Sequence, residues 1–238
     1  MAFLIESVVA CAIFNHKTAF VNQDNALLMS LIGTLDHYTY GTSHADCGVV
    51  SKACDPYLSV ENEMTGEVHT RLVGAYNFEN VAAAIAVGQY FGVSGNDIRE
   101  ALEGYQPTNS RSQVIEGRNH IIMDAYNANP TSMSAAIKNF HAICDGDPLL
   151  ILGDMRELGE ASETEHRAIL SLIFSLGFRK AFLVGPCFTQ CNDIPDYLTF
   201  PTVDALNDYL EKNPVTRQNI LVKGSNSIHL GKVLPLIQ

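Results

Sequence analysis

The sequence predicts an α/β protein whose C-terminal part is a Rossmann-like domain on a mainly parallel sheet. Three observations carry this. From Gln113 onward, short apolar runs alternate with longer segments of helical periodicity, the pattern of strands and covering helices in a parallel sheet. Pro107-Thr108-Asn109 reads as a linker and divides the chain into residues 1–107 and 108–238. Finally, 47% hydrophobic and 17% charged residues over 238 positions is the balance of a globular chain with a buried core.

In chain order, residues 3–14 are apolar apart from Glu6 and Ser7 and read as a core helix. No Lys or Arg precedes the run, so it lacks the positive region of a secretory signal. No stretch reaches the ~20 apolar residues that cross a bilayer. Residues 18–22 read as a short buried strand, and Gln23-Asp24-Asn25 caps a helix over 26–32 that Gly33 ends. Residues 36–40, 48–51, 57–61 and 67–73 are expected as strands of an antiparallel sheet. Asp55-Pro56 punctuates them, and Met64-Thr65-Gly66-Glu67 forms a hairpin turn. Gly74-Ala75-Tyr76-Asn77-Phe78-Glu79-Asn80 opens an Ala/Val-rich helix. Ser94, with Asp97 near its N3 position, caps another that Gly104 stops.

Beyond the linker, strands are expected at 113–115, 121–123, 149–152, 181–184 and 220–222, and helices at 132–143, 162–176, 203–211 and 228–236. The first βα turn has no Gly-x-Gly-x-x-Gly, which argues against a dinucleotide cofactor.

The formal charge of −11 argues against nucleic acid, whose phosphates demand clustered Lys and Arg. It does not exclude a nucleotide, which backbone N–H groups and one or two cations can hold. The six cysteines, at positions 11, 47, 54, 144, 187 and 191, form no disulfide framework. Cys187 and Cys191 have ligand-like spacing, but no His or second Cys pair stands near them in sequence. No metal site is expected, and free thiols in a reducing cytoplasm are.

Chemistry concentrates in Asp124-Ala125-Tyr126-Asn127-Ala128-Asn129-Pro130. The stretch lies between the strand at 121–123 and a helix that Thr131 or Ser132 can cap. An acid and two amides thus stand at the carboxyl end of a strand, the edge at which open α/β sheets bind ligands. The alternative is a polar βα turn, since Asn and Asp bond well locally.

This stretch resembles the signature of the MurF-type Mur ligases, which add D-alanyl-D-alanine to UDP-MurNAc-tripeptide in peptidoglycan synthesis. Gly153-Asp154-Met155-Arg156-Glu157-Leu158-Gly159 resembles the same family's next motif. Residues 74–80 are similar to its Gly-x-His-Asn-x-x-Asn, with Tyr76 in place of His. Lys223-Gly224-Ser225 is similar to its late Lys-Gly-Ser, with Asn226 where many relatives carry Arg. The resemblance implies that 1–107 is the second half of a central ATP-binding domain and 108–238 the C-terminal ligase domain. It implies that Asn80 meets adenine, that Arg111 and Asp124 meet nucleotide phosphate or ribose, and that Tyr126, Asn127, Asn129, Lys223 and Ser225 meet substrate. A helix-surface amide for Asn80 and a surface arginine for Arg111 stand beside those roles. Asp154 and Glu157 either orient Arg156 or the incoming amine, or form a solvated acidic loop. His166 is expected to pack.

The implied activity is ATP- and Mg²⁺-dependent amide synthesis through an acyl phosphate, by a cytoplasmic enzyme that is a monomer when complete, with no membrane or nucleic-acid partner. Phosphoryl transfer needs a backbone cradle and a lysine. The sequence has neither Gly-x-x-Gly-Lys-Thr nor a near relative; Gly231-Lys232 is its one Gly-Lys pair, and Val233 follows. The cradle, the Mg²⁺ ligands and the family's carbamylated lysine are expected before Met1. No catalytic residue is therefore assigned within the chain, which is expected to be inactive alone. A related ligase of the MurE or folylpolyglutamate type, and a non-catalytic remnant or nucleotide-binding module, are the competing readings.

Overall fold

The computed structural model describes residues 18–54, 56–106, 112–146 and 148–238. The chain divides into two compact units, Met1–Tyr105 and Gln106–Gln238. The helix expected at 3–14, the linker at 107–109 and Arg111 lie outside the described residues.

The first unit carries strands β1 (Ala19–Asn22), β2 (His37–Gly41), β3 (Cys47–Cys54), β4 (Tyr57–Asn62) and β5 (Gly66–Val73) in one sheet, paired in that order. Helix α1 (Ala26–Leu31) follows β1, with Asn25 Oδ1 accepting the Leu28 N–H at 3.1 Å as its cap. The expectation of an antiparallel sheet needs correction at its start. β1 and β2 run parallel, and β2 meets β3 in parallel at Tyr40↔Cys47 and Gly41↔Gly48. Only the β2–β3 pairing overturns the expectation, since β1 is not part of it; α1 returns the chain between β1 and β2, as a parallel pair requires, and apolar alternation in a strand carries no sign of its direction. From β3 to β5 the pairing is antiparallel. The β4–β5 turn is set by Asn62, whose Oδ1 accepts the N–H groups of Met64 and Thr65 at 2.9 and 3.3 Å. Helices α2 (Phe78–Tyr90) and α3 (Gly95–Gly104) cover the sheet. Val81, Ala82, Ile85 and Ala86 of α2 pack on Phe20, Val49, Leu58 and Val60.

The second unit is a six-stranded sheet. In chain order it contains β6 (Gln113–Glu116), β7 (His120–Asp124), α4 (Pro130–Ile143), β8 (Leu149–Gly153), α5 (Ser162–Ser175), β9 (Lys180–Val184), α6 (Pro186–Cys191), β10 (Tyr197–Phe200), α7 (Val203–Lys212), β11 (Asn219–Lys223) and α8 (Leu234–Ile237). The strand order is β10-β9-β8-β11-β7-β6, parallel throughout except for the antiparallel edge strand β6. β11, the last strand, is inserted between β7 and β8, so three loops from distant parts of the sequence converge at one carboxyl edge. The inner strands are buried on both faces, as their unbroken apolar runs require. On one face, Ile121, Met123, Leu149, Ile151, Ile220 and Val222 pack with Leu206 and Leu210 of α7 and with Val233 and Ile237. The other face carries α4 and α5, which pack on each other.

Three departures from the expected elements have local causes. Sequence periodicity missed α6 and β10, which are only six and four residues long. The helix expected at 228–236 is instead a pair of 3₁₀ turns, Asn226–Ile228 and Leu230–Val233, leading into α8. It breaks at His229, which sits in the left-handed region at φ 59°. Among the described residues no helix is long and apolar enough to cross a membrane.

Candidate functional site

The carboxyl ends of β7, β11 and β8 lie side by side, and the register pairs Lys223 directly with Asp124. Lys223 Nζ donates to Asp124 Oδ2 at 2.6 Å, with Asp124 8% and Lys223 2% exposed. The second carboxylate oxygen, Oδ1, accepts the Ser112 N–H at 3.1 Å, and Lys223 Nζ also donates to the Asn127 carbonyl at 3.3 Å. A lone buried carboxylate or ammonium is costly, and each offsets part of the other's penalty here. Asp124 and Lys223, assigned from sequence to nucleotide and to substrate, are thus bonded to each other.

The turn after β7 is shaped by its amides. Asn129 caps α4, correcting the expectation of Thr131 or Ser132. Its Oδ1 accepts the Ser132 N–H at 2.8 Å, Ser132 Oγ accepts the Asn129 N–H at 3.1 Å, and Pro130 occupies the first helical position. A cap with Pro behind it needs a residue outside helical φ/ψ, and Asn129 at φ −123° and ψ 168° meets that need. Asn127 Oδ1 accepts the Ala128 N–H at 2.8 Å, and Asn127 and Tyr126 are exposed at the edge. Buried Ser225 bridges two loops, accepting the Arg156 N–H at 3.0 Å and donating to the Ala128 carbonyl at 3.5 Å. Gly224 is required beside it, because a Cβ there would stand 2.8 Å from the Gly153 Cα.

The β8 loop differs from a solvated acidic loop. Asp154 is 0% exposed, and its two oxygens accept the Cys187 and Phe188 N–H groups of α6, each at 2.9 Å. Gly185, at φ 121°, lets the chain pass, since a Cβ would lie 2.4 Å from the Asp154 carboxyl. The Asp154 carbonyl accepts the Ser225 N–H at 3.2 Å, joining the β8 and β11 loops. His166 is buried, as expected, but it also works within the loop. Its Nδ1 lies 2.7 Å from the Ser162 carbonyl and its Nε2 accepts the Met155 N–H at 3.1 Å. Arg156 and Glu157 are exposed, with Glu157 at φ 64°.

Asn80 belongs to the first unit. It is exposed at the start of α2, donates to Asn77 Oδ1 at 3.3 Å, and lines an apolar cleft of about 490 Å³ with Ala83, Ala84, Val87 and Ile98. Asp124, Tyr126, Asn127, Asn129, Lys223 and Ser225 come together at one sheet edge. Sequence reasoning missed Ser112 and the cluster of Asp154, His166 and Cys187, whose members lie far apart in the chain.

The parallel sheet with its loops gathered at the carboxyl edge defines the class, a Rossmann-like ligand-binding domain. Residues 110–226 match the family described as Mur ligase, glutamate ligase domain. Over that stretch the chain is similar to the Mur ligase C-terminal domain. It is 39% identical over 117 residues to the UDP-N-acetylmuramoyl-tripeptide–D-alanyl-D-alanine ligase of Bacillus subtilis, a match covering 48% of this chain and 26% of that relative. A crystal structure of MurF from Acinetobacter baumannii superposes with a TM-score of 0.75 at 24% identity, over 94% of this chain and 52% of that one. MurF from Thermotoga maritima, solved in complex with ADP, gives a TM-score of 0.73 at 18% identity, over 92% and 52%. The chain spans about half the length of these solved structures, and less of the Bacillus relative.

Proposed function

We propose that the chain is part of an ATP-dependent amide ligase that joins D-alanyl-D-alanine to UDP-MurNAc-tripeptide through an acyl phosphate, a cytoplasmic step in peptidoglycan precursor synthesis. The observation that carries this reading is the 39% identity over 117 residues to a ligase of that name, with the Asp124–Pro130 and Gly153–Gly159 motifs lying inside the family match at 110–226. The division at Tyr105/Gln106 supports a C-terminal ligase domain preceded by part of an ATP-binding domain.

ATP and Mg²⁺ would supply the activation of the substrate carboxylate. The residues present fit only part of that demand. The sequence holds no phosphate cradle, and the one metal-donor group among the described residues contains a thiol and an imidazole, whereas Mg²⁺ takes oxygen ligands. No phosphoryl-transfer step is assigned to this chain. Its own contribution is to build and hold a binding edge. The Asp124–Lys223 pair fixes the ends of β7 and β11, Asn129 and Ser225 shape the loops, and Tyr126 and Asn127 face solvent where substrate would enter. Asn80 is the candidate adenine contact and Arg111 the candidate phosphate contact. The test is the product of the complete reading frame, assayed for phosphate release from ATP. Release that depends on both UDP-MurNAc-tripeptide and D-alanyl-D-alanine is expected. Release with a different amino-acid acceptor, or none, would overturn the reading.

A further inference from the structure

The Asp154 carboxylate is wholly buried, and the His166 imidazole lies beside it, with Nε2 3.7 Å from Asp154 Oδ1. That contact is not a made ion pair. Nε2 accepts the Met155 N–H, so it carries no proton to give the carboxylate. Two acceptor atoms therefore stand close together in a buried site where the carboxylate's hydrogen bonds come from the neutral Cys187 and Phe188 N–H groups, whereas buried charges are ordinarily paired or coordinated to a metal. Cys187 completes the group. Asp154, His166 and Cys187 each offer a donor atom, all within 4.8 Å of one another, with Asp154 and His166 buried and Cys187 half-buried.

We propose that Asp154, His166 and Cys187 form a binding site for a zinc-class divalent cation. The donor set is the kind that selects borderline-soft metals over Mg²⁺ or Ca²⁺. His166 is already oriented for the task, because its Nδ1 bonds the Ser162 carbonyl at 2.7 Å, the outer contact that fixes a ligating imidazole's tautomer. Donors around tetrahedral zinc stand about 3.3–3.8 Å apart, from bond lengths of roughly 2.0–2.3 Å. Closing from the present spacing takes about 1 Å, which rotation of the half-buried Cys187 side chain can supply. Binding forms metal bonds to Oδ1, Nε2 and Sγ, and the thiol proton leaves to solvent. Carboxylate and thiolate then cancel the charge of the dication, and no electron is transferred. The cost is the Met155 N–H, which gives up its acceptor. Water or Ser162 Oγ, 3.7 Å from the Cys187 sulfur, would complete four-coordination. Cys191, the partner that sequence spacing suggested for Cys187, is not part of the group.

The experiment titrates Co²⁺ into the purified 238-residue chain under a non-thiol reductant, with Zn²⁺ as competitor. One equivalent producing thiolate-to-cobalt absorption is expected, bleached by Zn²⁺. Cys187→Ser should abolish that absorption and weaken binding at least tenfold, while Cys144→Ser and Cys54→Ser leave it unchanged. Melting curves without metal check that Cys187→Ser, or Cys187→Ala in its place, remains folded. The proposal is overturned if the wild-type chain shows no thiolate-to-cobalt absorption, or if that absorption survives in a folded Cys187 variant. It is also overturned if NMR shows His166 carrying protons on both nitrogens when zinc is present, which would make a proton the counter-charge.

Discussion

Lys223 and Asp124 stand opposite each other on adjacent parallel strands, and their side chains meet at 2.6 Å with almost no exposure to water. The pair joins the two ends of the chain's C-terminal unit, since Asp124 also receives the Ser112 N–H. A site acid read from sequence would be expendable to stability; a buried paired acid is not. Lys223→Met should therefore destabilise the second unit by about 3–5 kcal/mol, the usual cost of leaving one buried charge unpaired. Asp124→Asn with Lys223→Met should recover much of that loss, because no lone charge remains. Urea melts of the single and double variants check this. Additive losses in the double variant would show that the two groups do not act as a pair.

The two amides of the turn should separate cleanly. Asn129→Ala removes the cap of α4 and is expected to cost about 1 kcal/mol. Asn127→Ala, at an exposed position, should leave the melting temperature within error. If the proposed function holds, the order should reverse in the product of the complete reading frame, with Asn127→Ala lowering turnover sharply. An activity loss for Asn127→Ala that merely tracks lost stability would make that residue structural as well.

The alternation of strands and helices after Gln113 was legible because parallel strands buried on both faces must be apolar throughout. The site was legible as a position, the carboxyl end of β7, but not as a set of contacts. Lys223 is 99 residues from Asp124, and only the insertion of β11 between β7 and β8 makes them neighbours. The same insertion hides the bond between the Asp154 carbonyl and Ser225. Strand direction in β1–β3 was illegible for a different reason: register and direction are properties of partners, not of a strand's own pattern.

The second unit has its own core, spanning Ile121 to Ile237, and we propose that it folds alone. Residues 106–238 expressed separately should melt in a single cooperative transition. A product without near-UV circular dichroism, or with a broad melt, would place the boundary elsewhere.

Burial, with the nearby charge of Asp145, pushes the Cys144 thiol up to about 12 from an ordinary 9.0. Burial and Asp46 raise Cys47 to about 11. Each thiol ionises more readily in the unfolded chain than in the folded one. Between pH 9 and the folded value, the unfolded state therefore binds fewer protons, and stability must fall as pH rises. Cys144 alone contributes a slope of up to about 1.4 kcal/mol per pH unit there. Below about pH 8 neither thiol affects the curve. Denaturant melts between pH 8 and 11 should show this decline in the wild type and a shallower one in Cys144→Ala. An equal slope in both would mean that the thiol is already solvated in the folded protein.

The 238-residue polypeptide should not release phosphate from ATP by itself, even with UDP-MurNAc-tripeptide and D-alanyl-D-alanine present. Phosphoryl transfer relies on donors and Mg²⁺ fixed around the moving phosphate, and positioning is most of its catalysis. The sequence offers no Gly-x-x-Gly-Lys-Thr, and its one Gly-Lys pair, Gly231-Lys232, lies within a 3₁₀ turn instead of at a strand-to-helix phosphate loop. Lys223, the buried lysine of the sheet edge, is engaged with Asp124. On the proposed reading, exposed groups such as Asn80 and Asn127 would contact parts of a nucleotide or a peptide, but amides alone would not hold a γ-phosphate against a carboxylate. Nucleotide binding near millimolar, roughly 4 kcal/mol, is the expected ceiling, readable by calorimetry. Release above the no-enzyme rate that also needs both co-substrates would overturn this, and would require a phosphate site built from residues other than a glycine-rich loop.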